Sequence, residues 1–315
     1  MQMPFCHQPL LFAGSSHPIL ATEIAQQLKI SLGQMQLSKF PDGEIGVQLL
    51  ESVRGKDTFV LQSIALDPNF YLMELLIIVD ALKRASARNI IAVIPYYGYC
   101  RQDRKDKFDV SITAKLVANL LVEAGITRIL TMDLHVDQLQ GFFDIPVDHL
   151  SGRQLLIDEL QKLDLTNSIV VAPDIGSVKT ARTFASQLSV DFAIVDKHRK
   201  SAIEVVDYHL IGDVNGKDVL LADDICSTGA TLMSAAKACQ EKGANRIFAA
   251  FTHGLLVDDS VKQIENSLLE IVWMTNTIPH TKRLKEASKL KTVSIASLLT
   301  HAIQCIVSDE SISSL

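Results

Sequence analysis

Asp223 and Asp224 stand side by side directly after the apolar run Val219–Ala222. A turn of small and hydroxyl residues follows them: Ser227, Thr228, Gly229, Ala230 and Thr231. Adjacent carboxylates accept hydrogen bonds from vicinal hydroxyls, or hold a Mg²⁺ that binds those hydroxyls. A turn of this kind, opening a helix, points backbone N–H groups at a phosphate, and the helix dipole favours the anion. Gly229 lets the backbone come close to a ligand, and Thr228 and Thr231 add hydroxyl donors. A sugar phosphate has both needs, a diol at one end and a phosphate at the other. The competing reading is an aspartate-rich turn in which Asp224 or Ser227 merely caps a helix. Two carboxylates plus a phosphate-type turn favour the ligand site.

Other candidate groups also fall after apolar runs. "TMDLH" carries Asp133 and His135, and His135 could meet a metal or a phosphate as readily as serve a structural role. Asp174 in "APDIGS" suits Mg²⁺ or a nucleotide and equally suits a helix cap. "YYGYCRQDRKDKFD" places Arg101, Gln102, Arg104, Lys105 and Lys107 in one segment, where Arg favours bidentate phosphate contacts. By itself that segment reads as a solvated loop. In "KFPDGEIGV", Phe40 could stack on a base while Asp42 and Glu44 accept from ring or sugar donors, although "PDG" alone is simply a turn. In "DKHRK", Lys197 and Arg199 share parity, so an extended backbone aims both one way, as a clamp on developing charge would need. Cys226 lies inside the phosphate-type turn, where a helix N-terminus lowers a thiol pKa. A small apolar filler is the preferred reading there.

The elements that must hold these groups follow from the hydrophobic pattern. Strands are predicted at Leu10–Ala13, Thr58–Ser63, Ile90–Pro95, Ile129–Met132, Ile169–Ala172, Phe192–Val195, Val219–Ala222, Ile247–Phe251 and Leu269–Met274. Helices are predicted over 17–29, 70–87, 111–124, 151–162, 177–188, 230–242 and 291–306, with Ser111 as N-cap and Gly125 as stop for the third. Short apolar strands alternating with helices imply an α/β fold of mainly parallel sheets covered on both faces. Ligands then bind beyond the carboxyl ends of the strands, where the clusters above fall. A boundary near residue 150 divides the 315 residues into 1–150 and 151–315. Both halves alternate strand and helix, so a duplicated architecture is expected, though no close sequence repeat accompanies it.

The net charge is −6, with 48% apolar and 21% charged residues. That balance argues against bulk binding to nucleic acid or anionic membrane. The five cysteines form no C-x-x-C pair, which points to a reducing, cytoplasmic setting. The most apolar helical stretch, "LMELLIIVDAL", is broken by Glu74 and Asp80 and is too short to span a bilayer.

Taken in order, "FPDGE", "ESVRG", "LMELLIIVDALKRASA", "AVIPYYGYCRQDRK", "ITAKLVANLL", "TMDLH", "QLQGFFDIPVDHL", "APDIG", "DKHRK", "LIGDV", "THG", "TNTIP" and "ESISSL" resemble the ribose-phosphate pyrophosphokinases of the phosphate-dependent hexameric class. The resemblance spans essentially the whole chain. It implies two type-I phosphoribosyltransferase-like domains, the last helix packing back on the first. It implies Mg²⁺-ATP and ribose 5-phosphate as substrates, and a homo-oligomer, a hexamer built from dimers. Carried over position by position, Phe40, Asp42 and Glu44 would hold adenine, partly across a subunit interface. Arg101 and Gln102 would contact ATP, and His135 and Asp174 would serve Mg²⁺-ATP. Lys197 and Arg199, on a flexible loop, would stabilise the transferring group. Asp223 and Asp224 would take the ribose hydroxyls, and Ser227–Thr231 would cradle the 5-phosphate. Ser52, Arg54, Ser311 and Ser313 match the family's allosteric phosphate pocket, with inorganic phosphate as activator.

The chain departs from the family pattern in places. Ser227 replaces a third carboxylate, Ala230 replaces a Gly, and Ser177 replaces the second Gly of "PDxGG". After "RQDRKDK", Asp109 and Ser111 replace a cation and a proline. These departures motivate a competing reading, a weak or inactive regulatory relative that assembles with an active synthetase. The intact Lys197, Arg199, His135, Asp174, Asp223 and Asp224 favour the active enzyme.

Overall fold

The computed structural model describes residues 9–198, 207–280, 284 and 287–312. The chain divides into two compact units. The first holds the residues up to Ser151, then Thr277–Pro279 and everything from Ile295 onward. The second holds Gly152–Asn276 and His280–Ser294.

In the first unit the strands β1 (Leu10–Ala13), β4 (Asp57–Leu61), β5 (Asn89–Ile94), β6 (Arg128–Met132) and β7 (Val147–Leu150) form one parallel sheet in the order β1-β4-β5-β6-β7. Strands β2 (Met35–Lys39) and β3 (Ile45–Leu49) form a separate antiparallel hairpin. The helices are α1 (Pro18–Leu28), α2 (Pro68–Arg84), α3 (Thr113–Ala124) and, at the end of the chain, α8 (Ala296–Val307), which packs on α1. A short 3₁₀ helix covers Asp137–Phe142. Local chemistry sets several boundaries. Asp67 caps α2 by accepting from the Phe70 N–H, Pro68 fits the first turn, and Lys83 and Arg84 sit in the last turn. Ser111 does not cap α3: the helix starts two residues later, and the Ser111 hydroxyl bonds Thr113 Oγ1 instead. Gly125 stops α3 with a φ of 123°.

A buried polar knot ties β1, β4 and α2 together. Glu74 of α2 accepts from the Ser15 N–H (2.7 Å), the Ser15 hydroxyl (2.8 Å) and Gln62 Nε2 (2.7 Å). Gln62 Oε1 accepts from the Ser16 N–H at 3.1 Å, and the Ser63 N–H donates to Ser16 Oγ at 2.8 Å. Each buried polar group thereby recovers what it loses on leaving water. The space is closely filled: a Cβ on Gly14 would lie 2.3 Å from Gln62 Oε1.

In the second unit the sheet order is β10-β9-β8-β11-β12-β13-β14. Its strands are β8 (Ser168–Ala172), β9 (Asp191–His198), β10 (Asp207–Ile211), β11 (Asp218–Cys226), β12 (Ile247–Gly254), β13 (Val272–Thr275) and β14 (Leu290–Val293). All pairs are parallel except β9 with β10. Helices α4 (Arg153–Leu160), α5 (Val178–Leu188), α6 (Ala230–Glu241) and α7 (Ser260–Glu265) complete it. Two apolar layers, one on each face of the sheet, bury Phe184, Leu220 and Trp273 on one side and Leu221, Phe251 and Met274 on the other. Burying such side chains contributes about 1.5–3 kcal/mol each. Alternation of neighbouring strand residues between the two layers is the period of two that a sheet covered on both faces requires.

Two predictions are corrected. The stretch Leu290–Val293 is a strand paired with β13, so the last helix begins at Ala296 rather than at 291. The strand predicted to stop at Ala222 continues to Cys226, because β12 runs beside it to Gly254. Among the described residues, no helix is long and apolar enough to cross a membrane.

Candidate active site

In the second unit the candidate groups gather at the carboxyl ends of β8 and β11. Pairing between these strands ends at Val171–Leu221, whereas β11 stays paired to β12 through Cys226. Asp223 and Asp224 therefore belong to a strand held on one side only, and they do not hang off its end. The Asp224 N–H donates to Asp223 Oδ1 at 2.8 Å. Burial, then hydrogen bonding and repulsion from Asp224, then the charge of Asp174, raise the Asp223 carboxyl well above the usual range. Asp174 thus faces the pair electrostatically from the end of β8. Its Oδ1 accepts from the Ser177 N–H at 3.0 Å. The buried Ser177 hydroxyl donates to the Asp174 C=O at 2.9 Å and accepts from its N–H at 3.3 Å. Ser177 is thus the residue that fixes Asp174, a role the Asp-x-x-Ser spacing signals.

The turn from β11 into α6 has the phosphate-binding form. Gly229 is the N-cap, with a φ of 79° that favours glycine, and no side chain caps the helix. Neither Asp224 nor Ser227 caps α6, so the capping alternative is not what is observed. The Ala230 N–H reaches Thr228 Oγ1 at 3.4 Å. Thr228, Ala230 and Thr231 are exposed, and Ser227 is half-buried. From behind, the Leu255 N–H donates to the Cys226 C=O at 2.8 Å and the Val257 N–H to the Ser227 C=O at 3.1 Å. Cys226 itself is buried. Burial first, and the Asp223 charge second, push its thiol up to about 12 against a hydrogen bond from the Gly229 N–H. That overturns the reactive-thiol reading. Lys197 lies on strand β9 opposite Tyr208 of β10, so it is a strand residue and not a loop residue. Arg199 lies outside the described residues.

In the first unit, "FPDGE" is the tip of the β2–β3 hairpin. The Phe40 N–H donates to the Glu44 C=O (2.8 Å), the Gly43 N–H to the Phe40 C=O (2.9 Å) and the Glu44 N–H to Asp42 Oδ1 (3.2 Å). The turn fixes the loop and leaves Phe40, Asp42 and Glu44 exposed. Arg101 and Gln102 follow β5, exposed. Thr113 Oγ1 donates to Gln102 Oε1 at 2.5 Å, and the Ala114 N–H to the Gln102 C=O at 3.2 Å, so the start of α3 anchors that segment. Thr113 carried no sequence signal for this. Arg101, Arg104, Lys105 and Lys107 have no ion-pair partner among the described residues, and Asp103, Asp106 and Asp109 alternate with them along the loop. His135 is exposed just after β6, where the Ser151 hydroxyl holds Asp133 at 3.1 Å. Ser52 and Arg54 lie exposed on the turn before β4, which is tied to the end of α2 by the Gly55 N–H bonding the Ser86 C=O at 2.8 Å. Ser311 is exposed, and Ser313 lies outside the described residues.

Parallel sheets with a phosphate-type turn and carboxylates at the strand ends define a phosphoribosyltransferase-like α/β enzyme. Comparison with known proteins narrows the class. Residues 10–125 match the N-terminal domain of ribose phosphate pyrophosphokinase, and residues 204–315 match the phosphoribosyl synthetase-associated domain. The ribose-phosphate pyrophosphokinase of Helicobacter hepaticus is 48% identical over 306 residues, 97% of this chain and 98% of the relative. That of Vibrio parahaemolyticus is 46% identical over 307 residues, with the same coverage. The crystal structure of phosphoribosylpyrophosphate synthetase from Mycobacterium smegmatis superposes with a TM-score of 0.92 at 40% identity, covering 96% of this chain and 99% of that one. The chain belongs to the ribose-phosphate pyrophosphokinase family, and its two phosphoribosyltransferase-like domains are those of an enzyme.

Proposed function

We propose that the chain transfers the diphosphoryl group of Mg²⁺-ATP to the 1-hydroxyl of ribose 5-phosphate, for nucleotide biosynthesis. The bond between the sugar O1 and the β-phosphorus forms. The bond from that phosphorus to the oxygen bridging the α-phosphate breaks, AMP leaves with the bridging oxygen, and the hydroxyl proton is released. Such transfer relies on positioning and charge neutralisation. The observation that carries this reading is the β11–α6 segment, with a paired carboxylate and an uncapped, glycine-led helix start nine residues or fewer apart.

Asp223 and Asp224 take the ribose hydroxyls, and Ser227, Thr228, Gly229, Ala230 and Thr231 take the 5-phosphate. Phe40, Asp42, Glu44, Arg101 and Gln102 hold the nucleotide. Lys197 and Arg199 steady the transferring group. Mg²⁺ fits the carboxylate oxygens present: Asp174 stands at the end of β8, close enough for its charge to raise the Asp223 carboxyl. A hard cation held by one or two protein carboxylates and by substrate phosphates is magnesium's usual arrangement, and the resemblance assigns Asp174 and His135 to Mg²⁺-ATP. Bound there, the ion would neutralise the polyphosphate charge.

The resemblance further supports a cytoplasmic enzyme of the phosphate-activated class, a homohexamer of dimers. In it, the first unit forms the ATP domain and the second the ribose 5-phosphate domain, with Ser52, Arg54, Ser311 and Ser313 at a regulatory phosphate pocket. The deciding experiment is AMP formation by the purified protein, over a range of phosphate and with ADP added. AMP release that requires both ribose 5-phosphate and Mg²⁺ is expected. Its absence at every phosphate level would overturn the reading.

A further inference from the structure

Ser260 opens α7 and is 1% exposed. Its hydroxyl oxygen is buried and has no hydrogen-bond partner among the described residues. Native structures seldom leave such a donor unpaired, because it forfeits its bonds to water and gains nothing. Its place in the fold is informative. A Cβ built on Gly229 would meet one atom within 4 Å, the Cβ of Ser260 at 3.9 Å. Ser260 therefore stands directly behind the glycine that starts α6, with no side chain between them. The segment leading to it is already laced to the turn through the Leu255 and Val257 N–H groups. It also spends backbone strain there, with Leu256 and Asp258 at φ of 44° and 52°. The loop carbonyls of Cys226 and Ser227 accept these bonds and that of Gly229 accepts from the Met233 N–H at 2.9 Å, so the Thr228 carbonyl is the acceptor of the turn left to answer Ser260.

We propose that Ser260 is a positioning residue for the ribose 5-phosphate turn: its hydroxyl donates to the Thr228 carbonyl when the turn backbone closes on the 5-phosphate. The inference rests on the reading of 227–231 as the 5-phosphate cradle. It makes two predictions of different sign. Ser260→Ala removes a hydroxyl that has no partner among the described residues, so thermal stability holds or rises. The same change weakens ribose 5-phosphate, because the bond it would gain on binding is lost.

Calorimetric titration of ribose 5-phosphate into the parent and Ser260→Ala proteins, with melting curves and amide exchange of residues 226–231, tests this. The expected result is an affinity lower by about fivefold or more in the variant, an unchanged ATP KM, and less protection of the turn on sugar-phosphate binding. An affinity within about twofold of the parent, or a melting temperature lower by more than about 3 °C, would overturn it. A parent protein that binds no ribose 5-phosphate would instead overturn the reading beneath it.

Discussion

Single residues at the turn show a site built at the expense of stability. The raised Asp223 carboxyl means that the folded state binds a proton more tightly than the unfolded chain does. Stability therefore falls as pH rises from the ordinary aspartate value, about 3.9, through the raised folded one. Asp223→Asn abolishes that loss. Its melting temperature at neutral pH should exceed the parent's, while its affinity for ribose 5-phosphate drops about tenfold or more. Melting curves and calorimetry on one preparation check both. Cys226 should resist iodoacetamide in the folded protein at pH 8 and react only on unfolding, since its thiol is buried and held near 12. Mass mapping of the labelled peptides reads this directly. The sequence located both residues, because unusual polar types after an apolar run stand out. It could not tell the thiol's state: a helix N-terminus lowers a thiol pKa and burial raises it, and only the structure shows that burial prevails.

At the scale of elements, the legible features were those whose apolar pattern is local. The parallel strands other than β7 and β14, and most helices, fall within a few residues of their predicted places. Two of the misses share a cause. The end of β11 and the whole of β14 depend on partners distant in sequence, Ile225 opposite His253 and Leu290 opposite Val272. The hairpin β2–β3 was masked because its strands are half-exposed and read as a turn with flanks. The start of β11 is anchored by charge. Asp218 accepts from Arg246 Nε at 3.0 Å and from Asn245 Nδ2 at 2.8 Å, and the Arg246 guanidinium first, Asn245 next, hold its carboxyl below the ordinary value. A depressed acid contributes stability above its unfolded pKa and loses it as pH falls through the folded one. Asp218→Asn should therefore lower the melting temperature at pH 7, and the gap to the parent should close as pH falls below about 4. A melting series from pH 7 to pH 3 measures it, and a gap that stays constant would contradict the assignment.

Across the whole chain the two sheets repeat one plan. Strands β1, β4, β5, β6 and β7 follow each other in the first unit as β8, β11, β12, β13 and β14 do in the second, with an antiparallel pair inserted after the first strand in both. The duplication expected from alternating elements is thus present in topology, although no close sequence repeat accompanies it. Equivalent strand ends then carry different chemistry. Where β8 and β11 present Asp174 and Asp223, the ends of β1 and β4 present Ser15, Ser16, Gln62 and Ser63, whose donors are taken by Glu74 (from Ser15 and Gln62), by Gln62 (from Ser16) and by Ser16 (from Ser63). Hydroxyl and amide groups already bonded to each other have little left to offer a sugar phosphate, and the Gln62 side chain lies against Gly14, 2.3 Å from where a Cβ would stand. The knot in the first unit therefore sets a stoichiometry. Saturating titration should find one ribose 5-phosphate per chain, and a second equivalent would mean that the ancestral symmetry of the two halves still operates in binding.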